Sequence, residues 1–144
     1  VLDATALPVM VDYVDTDVVE PALADVRRAG AVERALFAGG NLDGHRLLRS
    51  LEPDARIALT WDRATRPSER LLADLEPEYF NPPWELVDDR VVADMHDRGL
   101  LVSAWTVDDP ATMSMLLDLG VDAVTTNRIA DLVPLLGERR AAAC

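Results

Sequence analysis

Six short apolar runs recur along the chain, at Leu7–Val14, Glu33–Ala38, Arg56–Trp61, Glu78–Asn81, Leu100–Val107 and Val121–Thr126, with helix-favouring segments between them. The repeat is about 20–25 residues, the length that a strand of about five residues, a helix of about ten to twelve and two short loops occupy. This alternation constrains the chain more than any other feature. A strand that follows a helical crossover starts again in the same direction, so the pattern predicts a parallel α/β sheet.

Start and stop signals bracket the helices. Asp17-Val18-Val19-Glu20 reads as a capping box, with Gly30 as the stop. Asn41 is placed to cap the segment through Ser50, which Pro53 ends. Asp88 opens a helix that closes at Gly99, and Asp109-Pro110 opens one that closes at Gly120. In the latter, Met113, Leu116 and Leu117 fall on one face, the expected core side. Arg63–Arg70 is the most polar stretch and reads as a loop entering a short helix. The expectation is one domain over residues 1–144, without a linker. Six β/α units admit two closures, an open doubly wound sheet or part of an eight-stranded barrel. A whole barrel takes about 250 residues.

Composition excludes several classes of function. The 14 basic residues are all arginine and stand against 26 acidic ones, for a net charge of −12. Such a chain repels nucleic acid and anionic membrane surfaces. No apolar stretch approaches the roughly 18–20 residues that span a bilayer, so stable membrane insertion is not expected. No basic segment precedes the first apolar residues, and a cytoplasmic location is the expectation. A single cysteine, Cys144, leaves no internal disulfide and no multi-cysteine zinc site.

Few residues are candidates for chemistry. His45 and His96 are the two histidines, and both read as structural: His96 sits at a helix C-terminus, where a cation suits the dipole, and His45 lies mid-helix. Gly39-Gly40 reads first as a tight βα turn and second as an anion cradle. Asp12 shares a strand face with Met10 and Val14, while Val9, Val11 and Tyr13 share the other. A carboxylate within an apolar strand must be paired, protonated or bound to a cation. Asp12 stands near the strand's C-terminal end, where parallel α/β folds bind ligands, and a hard cation such as Mg²⁺ or Ca²⁺ would suit it. The plain reading of its neighbours Asp15 and Asp17 is a loop acid and a helix cap. Trp105 ends the fifth run, and Trp61 and Trp84 sit near the ends of theirs. An aromatic there is either a ligand platform or core packing.

Two segments carry a resemblance. Gly99-Leu100-Leu101-Val102-Ser103-Ala104-Trp105-Thr106-Val107, a helix, and Gly120-Val121-Asp122-Ala123-Val124-Thr125-Thr126-Asn127-Arg128 resemble, in sequence and interval, the C-terminal end of glycerophosphodiester phosphodiesterases. Val9-Met10-Val11-Asp12-Tyr13-Val14 is similar in placement to an Ile-Glu-Ile-Lys strand of that family.

The resemblance implies a (β/α)8 TIM-barrel type of fold, with strands three to eight present here and the first two units missing. Val1-Leu2-Asp3 then resembles the tail of the preceding helix. It implies metal-assisted hydrolysis of small glycerophosphodiesters to glycerol 3-phosphate and an alcohol. Asp12 falls on the family's metal-ligand glutamate, with Mg²⁺ or Ca²⁺ as the ion, and Trp105 on the wall of the substrate pocket. The family's catalytic histidines fall upstream of Val1, so no catalytic residue is expected within the chain, and residues 1–144 alone are expected to be inactive. The family's phosphate-contacting lysine falls on Val14, and Asn127, where many members have aspartate, reads as a helix cap. Two other readings stand beside this one: a divergent, non-catalytic barrel relative, and an unrelated doubly wound α/β binding module.

Overall fold

The computed structural model describes residues 6–142. All six apolar runs contain strands: β1 (Val9–Asp12), β2 (Ala35–Gly39), β3 (Arg56–Thr60), β4 (Tyr79–Asn81), β5 (Leu101–Ala104) and β6 (Ala123–Val124). They alternate with α1 (Val19–Arg28), α2 (Leu42–Leu51), α3 (Glu69–Leu75), α4 (Asp89–Asp97), α5 (Pro110–Asp118) and α6 (Ile129–Ala142). The expected helix-like tail at Val1-Leu2-Asp3, and Cys144, lie outside the described residues. The chain divides into two compact units at Tyr79/Phe80.

In the first unit β1, β2 and β3 pair in parallel, with Asp12 opposite Ala38 and Ala38 opposite Ala58. Apolar residues fill the space between these strands and the helices. Tyr13, Val19, Leu23, Val26, Phe37, Leu48 and Ile57 form one buried cluster, against which Val11 packs. The alternation along β1 therefore sends Val11 and Tyr13 to the helix side. Met10, Asp12 and Val14 turn the other way and are exposed. The apolar surroundings expected for Asp12 are not there, because the face it shares is uncovered among the described residues.

Helix ends follow side-chain chemistry in most cases. Asn41 Oδ1 accepts from Gly44 N at 2.9 Å, and Ser68 Oγ accepts from Leu71 N at 3.2 Å. Gly30 closes α1 with φ +58°. The capping box at Asp17 does not form. The chain makes a 3₁₀ turn over Thr16–Val18 and enters α1 through Val18 with no side-chain cap. Asp17 is taken up inside that turn, so it cannot occupy the extended conformation that a cap residue needs.

In the second unit β5 and β6 pair in parallel, Ser103 opposite Ala123 and Ala104 opposite Val124. Asp88 and Asp109 cap α4 and α5 by accepting from Val91 N and Thr112 N at 2.7 and 2.8 Å. Met113 and Leu116 are buried, whereas Leu117 is half-buried at the margin of the stripe. Gly99 and Gly120 close α4 and α5 with positive φ, as their positions predict.

Candidate functional site

The C-terminal ends of parallel strands carry the ligand-binding loops of α/β folds. In the first unit that end is made by Asp12 through Asp17, Gly39-Gly40 and Trp61 onward. Asp12 closes β1 as an exposed carboxylate. The loop after it is held from below. Tyr13 Oη donates to His45 Nδ1 at 2.5 Å, and His45 Nε2–H donates to the Gly39 carbonyl at 2.7 Å. A carbonyl only accepts, so the proton sits on Nε2 and Nδ1 is the acceptor. Burial is the first cause that lowers the His45 pKa, with Arg49 adding to it, and burial also pushes the Tyr13 phenol up. His45 is thus a neutral, structural histidine, as expected, but through a buried relay that its mid-helix position does not announce.

Asn41 adds a second anchor. Its Nδ2 donates to the Val14 carbonyl at 2.8 Å, and Thr16 Oγ1 donates to its Oδ1 at 3.3 Å. Gly39 has the turn role: a Cβ there would stand 2.6 Å from the Tyr13 carbonyl oxygen. At the end of β3, Trp61 is buried, and its indole Nε1–H donates to the Thr65 carbonyl at 2.6 Å. The Arg63 guanidinium lies over that ring, 4.8 Å from its centroid.

In the second unit Trp105 follows β5 and is half-buried. Its indole Nε1–H donates to the Asn81 carbonyl at 2.9 Å, and its own carbonyl accepts from Trp84 N at 3.0 Å. With its N–H committed, Trp105 has its ring face left to offer a ligand. Asn81 and Ser103 were not among the candidates, yet both are buried, and Ser103 Oγ donates to Asn81 Oδ1 at 2.7 Å.

Asn127 is tied to the loop that follows β5. Its Nδ2 and backbone N–H donate to Asp108 at 3.0 and 2.8 Å, and these bonds hold the Asp108 carboxyl below the usual carboxylate range. His96 Nε2 meets Asp122 Oδ2 at 2.8 Å, and the same oxygen accepts from Val102 N at 2.8 Å. That tie between α4 and the start of β5 is structural.

A metal site needs several donors. Among the described residues no three of His, Cys, Asp and Glu come together in a way that could hold an ion. Asp12 is one oxygen donor where Mg²⁺ or Ca²⁺ takes about six or more. The described residues therefore do not make a metal centre by themselves.

Comparison with known proteins decides the family. The family model of the glycerophosphoryl diester phosphodiesterases matches residues 8–131. The chain belongs to that family. A curated relative from Mycobacterium tuberculosis, named probable glycerophosphodiester phosphodiesterase 2, is 32% identical over 90% of this chain and 55% of its own length. The crystal structure of a glycerophosphodiester phosphodiesterase from Parabacteroides distasonis superposes with a TM-score of 0.81 at 20% identity, over 92% of this chain and 58% of that one. An Oleispira antarctica phosphodiesterase, solved with the product sn-glycerol-3-phosphate, gives a TM-score of 0.77 at 16% identity, over 85% and 50%. The chain thus spans about half the length of these relatives. Its fold is the TIM-barrel type of α/β fold that the family has, which overturns the reading as an unrelated doubly wound module. No helix among the described residues is long and apolar enough to cross a membrane.

Proposed function

We propose that the chain supplies strands three to eight of a glycerophosphodiester phosphodiesterase barrel, an enzyme that hydrolyses small glycerophosphodiesters to glycerol 3-phosphate and an alcohol. The observation that carries this reading is the family match over residues 8–131, which takes in β1 to β6. In it, Asp12 is one carboxylate ligand of a divalent ion, Mg²⁺ or Ca²⁺, whose other ligands come from beyond the described residues. The position of Asp12 at a strand's C-terminal end, exposed and on the face turned from the helices, supports that role. Trp105 forms a wall of the glycerol pocket through its ring face.

Neither histidine of the chain is available as the acid or base of this reaction. His45 is buried and committed to Tyr13 and Gly39, and His96 is committed to Asp122. Proton transfer to a leaving alkoxide needs a group within hydrogen-bond reach of it. The 144-residue chain alone is therefore inactive on this reading, and the histidines come from the two units it lacks.

One observation favours a second reading, a non-catalytic relative. The position of the family's lysine is Val14, which is 80% exposed and uncharged. The test is an assay of glycerol 3-phosphate release from glycerophosphocholine and glycerophosphoethanolamine with Mg²⁺ or Ca²⁺. It compares the 144-residue chain with the protein encoded by any longer reading frame around it. Turnover by the longer protein alone is the expected result. Turnover by the 144-residue chain sinks the partial-barrel assignment, and none by either form favours the non-catalytic relative.

A further inference from the structure

We infer that Arg63, stacked on Trp61 at the C-terminal end of β3, is the side chain with which this chain grips the phosphate of its substrate. The identity of the anion rests on the phosphodiesterase reading above; the anion site itself rests on geometry.

A chain with a net charge of −12 repels an anionic ligand unless a cation stands where the ligand binds. In the first unit several guanidiniums are already spent. Arg27 pairs with Glu52 at 2.8 Å, Arg46 with Asp43 at 2.9 Å, and Arg56 with Glu78 at 2.6 Å. Arg49 donates to the carbonyls of Leu75 and Glu76 at 2.8 and 3.0 Å. Arg63 differs. Among the described residues no carboxylate or carbonyl accepts a hydrogen bond from it, and its contact is the face of Trp61 at 4.8 Å.

That contact prepares the group for an anion. The donors of a guanidinium lie in its plane, so stacking one face leaves the N–H edge open for bidentate bonding to phosphate oxygens. The platform is itself fixed, because Trp61 is buried and its Nε1–H is tied to the Thr65 carbonyl at 2.6 Å. Less rotamer freedom is then lost on binding than from an unrestrained arginine. The place is also right. Asp12 is level with Ala38 and Ala38 with Ala58, so Trp61 lies three residues beyond that level, toward the ligand end. β1 and β3 flank β2, about 10 Å apart at ordinary strand spacing. Val14 leaves the loop after β1 without a cation, and Arg63 stands two strands away at the same end.

The experiment titrates the 144-residue chain with sn-glycerol 3-phosphate, inorganic phosphate and glycerol. Calorimetry and the NMR signals of Arg63 Nε–H and Trp61 Nε1–H follow binding. The two phosphates should bind and shift both signals, and glycerol should not. Arg63→Ala should weaken both phosphates by about 10-fold or more, the loss of a bidentate charge-assisted contact. Arg63→Lys should fall between the two, and Arg63→Gln, which keeps packing on the ring, should match Arg63→Ala. Arg28→Ala removes an equal charge at the other end of the strands and should change nothing. Phosphate affinity unchanged in both Arg63→Ala and Arg63→Gln, or no phosphate binding by the unaltered chain, overturns the inference. Arg63-dependent phosphate binding without diester turnover by any form upholds Arg63 and fails the enzyme reading. Turnover with a KM that Arg63→Ala leaves unchanged does the reverse.

Discussion

Tyr13 Oη donates to His45 Nδ1 at 2.5 Å, and the two rings meet edge to face, 5.3 Å between centroids. Tyr13 follows directly on Asp12, and His45 sits on α2, so one buried bond ties the strand that carries the candidate carboxylate to the helix behind it. Its chemistry makes the fold acid-sensitive. Burial lowers the folded-state pKa of His45 below its ordinary value of about 6.5. In the unfolded chain the ring takes a proton more readily, so the unfolded state binds more protons as pH falls. The His45 contribution is complete above about pH 6.5 and is lost progressively below it, at up to about 1.4 kcal/mol per pH unit until the folded-state pKa is reached. Urea unfolding at pH 7.5 and pH 5.5 should show lower stability at the acid value. His45→Leu should lower stability by about 1–3 kcal/mol at pH 7.5, through the unpaired Gly39 carbonyl and Tyr13 hydroxyl, and flatten the slope between the two. An equal slope in that variant would assign the acid sensitivity elsewhere.

Gly39 and Gly44 exist in this relay for space. A Cβ on Gly39 would meet the Tyr13 carbonyl oxygen at 2.6 Å, and one on Gly44 would meet Tyr13 Cε2 at 2.7 Å. Backbone cannot swing aside, so Gly39→Ala should cost about 1–3 kcal/mol. Gly44→Ala presses on a ring whose hydroxyl is pinned, but it gains about 1 kcal/mol of helix propensity, so its net cost should be the smaller. Denaturation midpoints at constant m-value measure both. A neutral Gly39→Ala would show that β1 and β2 approach less closely than described.

Asp12 should separate stability from activity. It is exposed, and its carboxylate makes no hydrogen bond or ion pair among the described residues. Asp12→Asn should change stability by no more than about 0.5 kcal/mol. In any longer form that turns over a glycerophosphodiester, the same change should reduce turnover by at least 10-fold, because a neutral amide oxygen replaces an anionic ligand, and chelation of divalent ions should abolish turnover. Full activity of Asp12→Asn would remove Asp12 from the ligand set.

The β1 edge gives a further outcome. Among the described residues β1 pairs with β2 alone, and Leu7, Met10 and Val14 beside it are exposed. An open apolar strand edge is a template for another strand. The 144-residue chain should therefore self-associate as concentration rises, in sedimentation velocity. Met10→Lys, a charge set on that strand, should reduce the effect, and a strictly monomeric parent chain would contradict it.

Much of the architecture was legible because it depends on local patterns. All six apolar runs became strands, and Asn41, Asp88 and Asp109 became side-chain caps, since a short polar side chain just before a helix accepts from an N–H three residues on. Gly30, Gly99 and Gly120 took positive φ where the helices had to stop. The motifs around Trp105 and Asp122 announced the family, which the match over residues 8–131 bears out.

What stayed hidden were relationships between residues far apart in sequence. Asp17 looked like a cap, but the path from β1 into α1 runs through a 3₁₀ turn that absorbs it. The bond from Asn127 to Asp108, in the loop between β5 and α5, joins residues 19 apart that no local pattern pairs. Alternation along β1 sorted its residues into two faces and could not say which face the helices would cover. Packing of Tyr13 and Val11 against α1 and α2 decided that, and so left Asp12 exposed. The sequence by itself determined the β/α order, most of the helix ends and the family, because each is written in residues a few positions apart. The tertiary structure alone decided the Tyr13–His45–Gly39 relay and the stacking of Arg63 on Trp61. The relay's bonds join residues that only strand pairing and helix packing bring together, and the stack needs the loop after β3 to turn its arginine back over a buried ring.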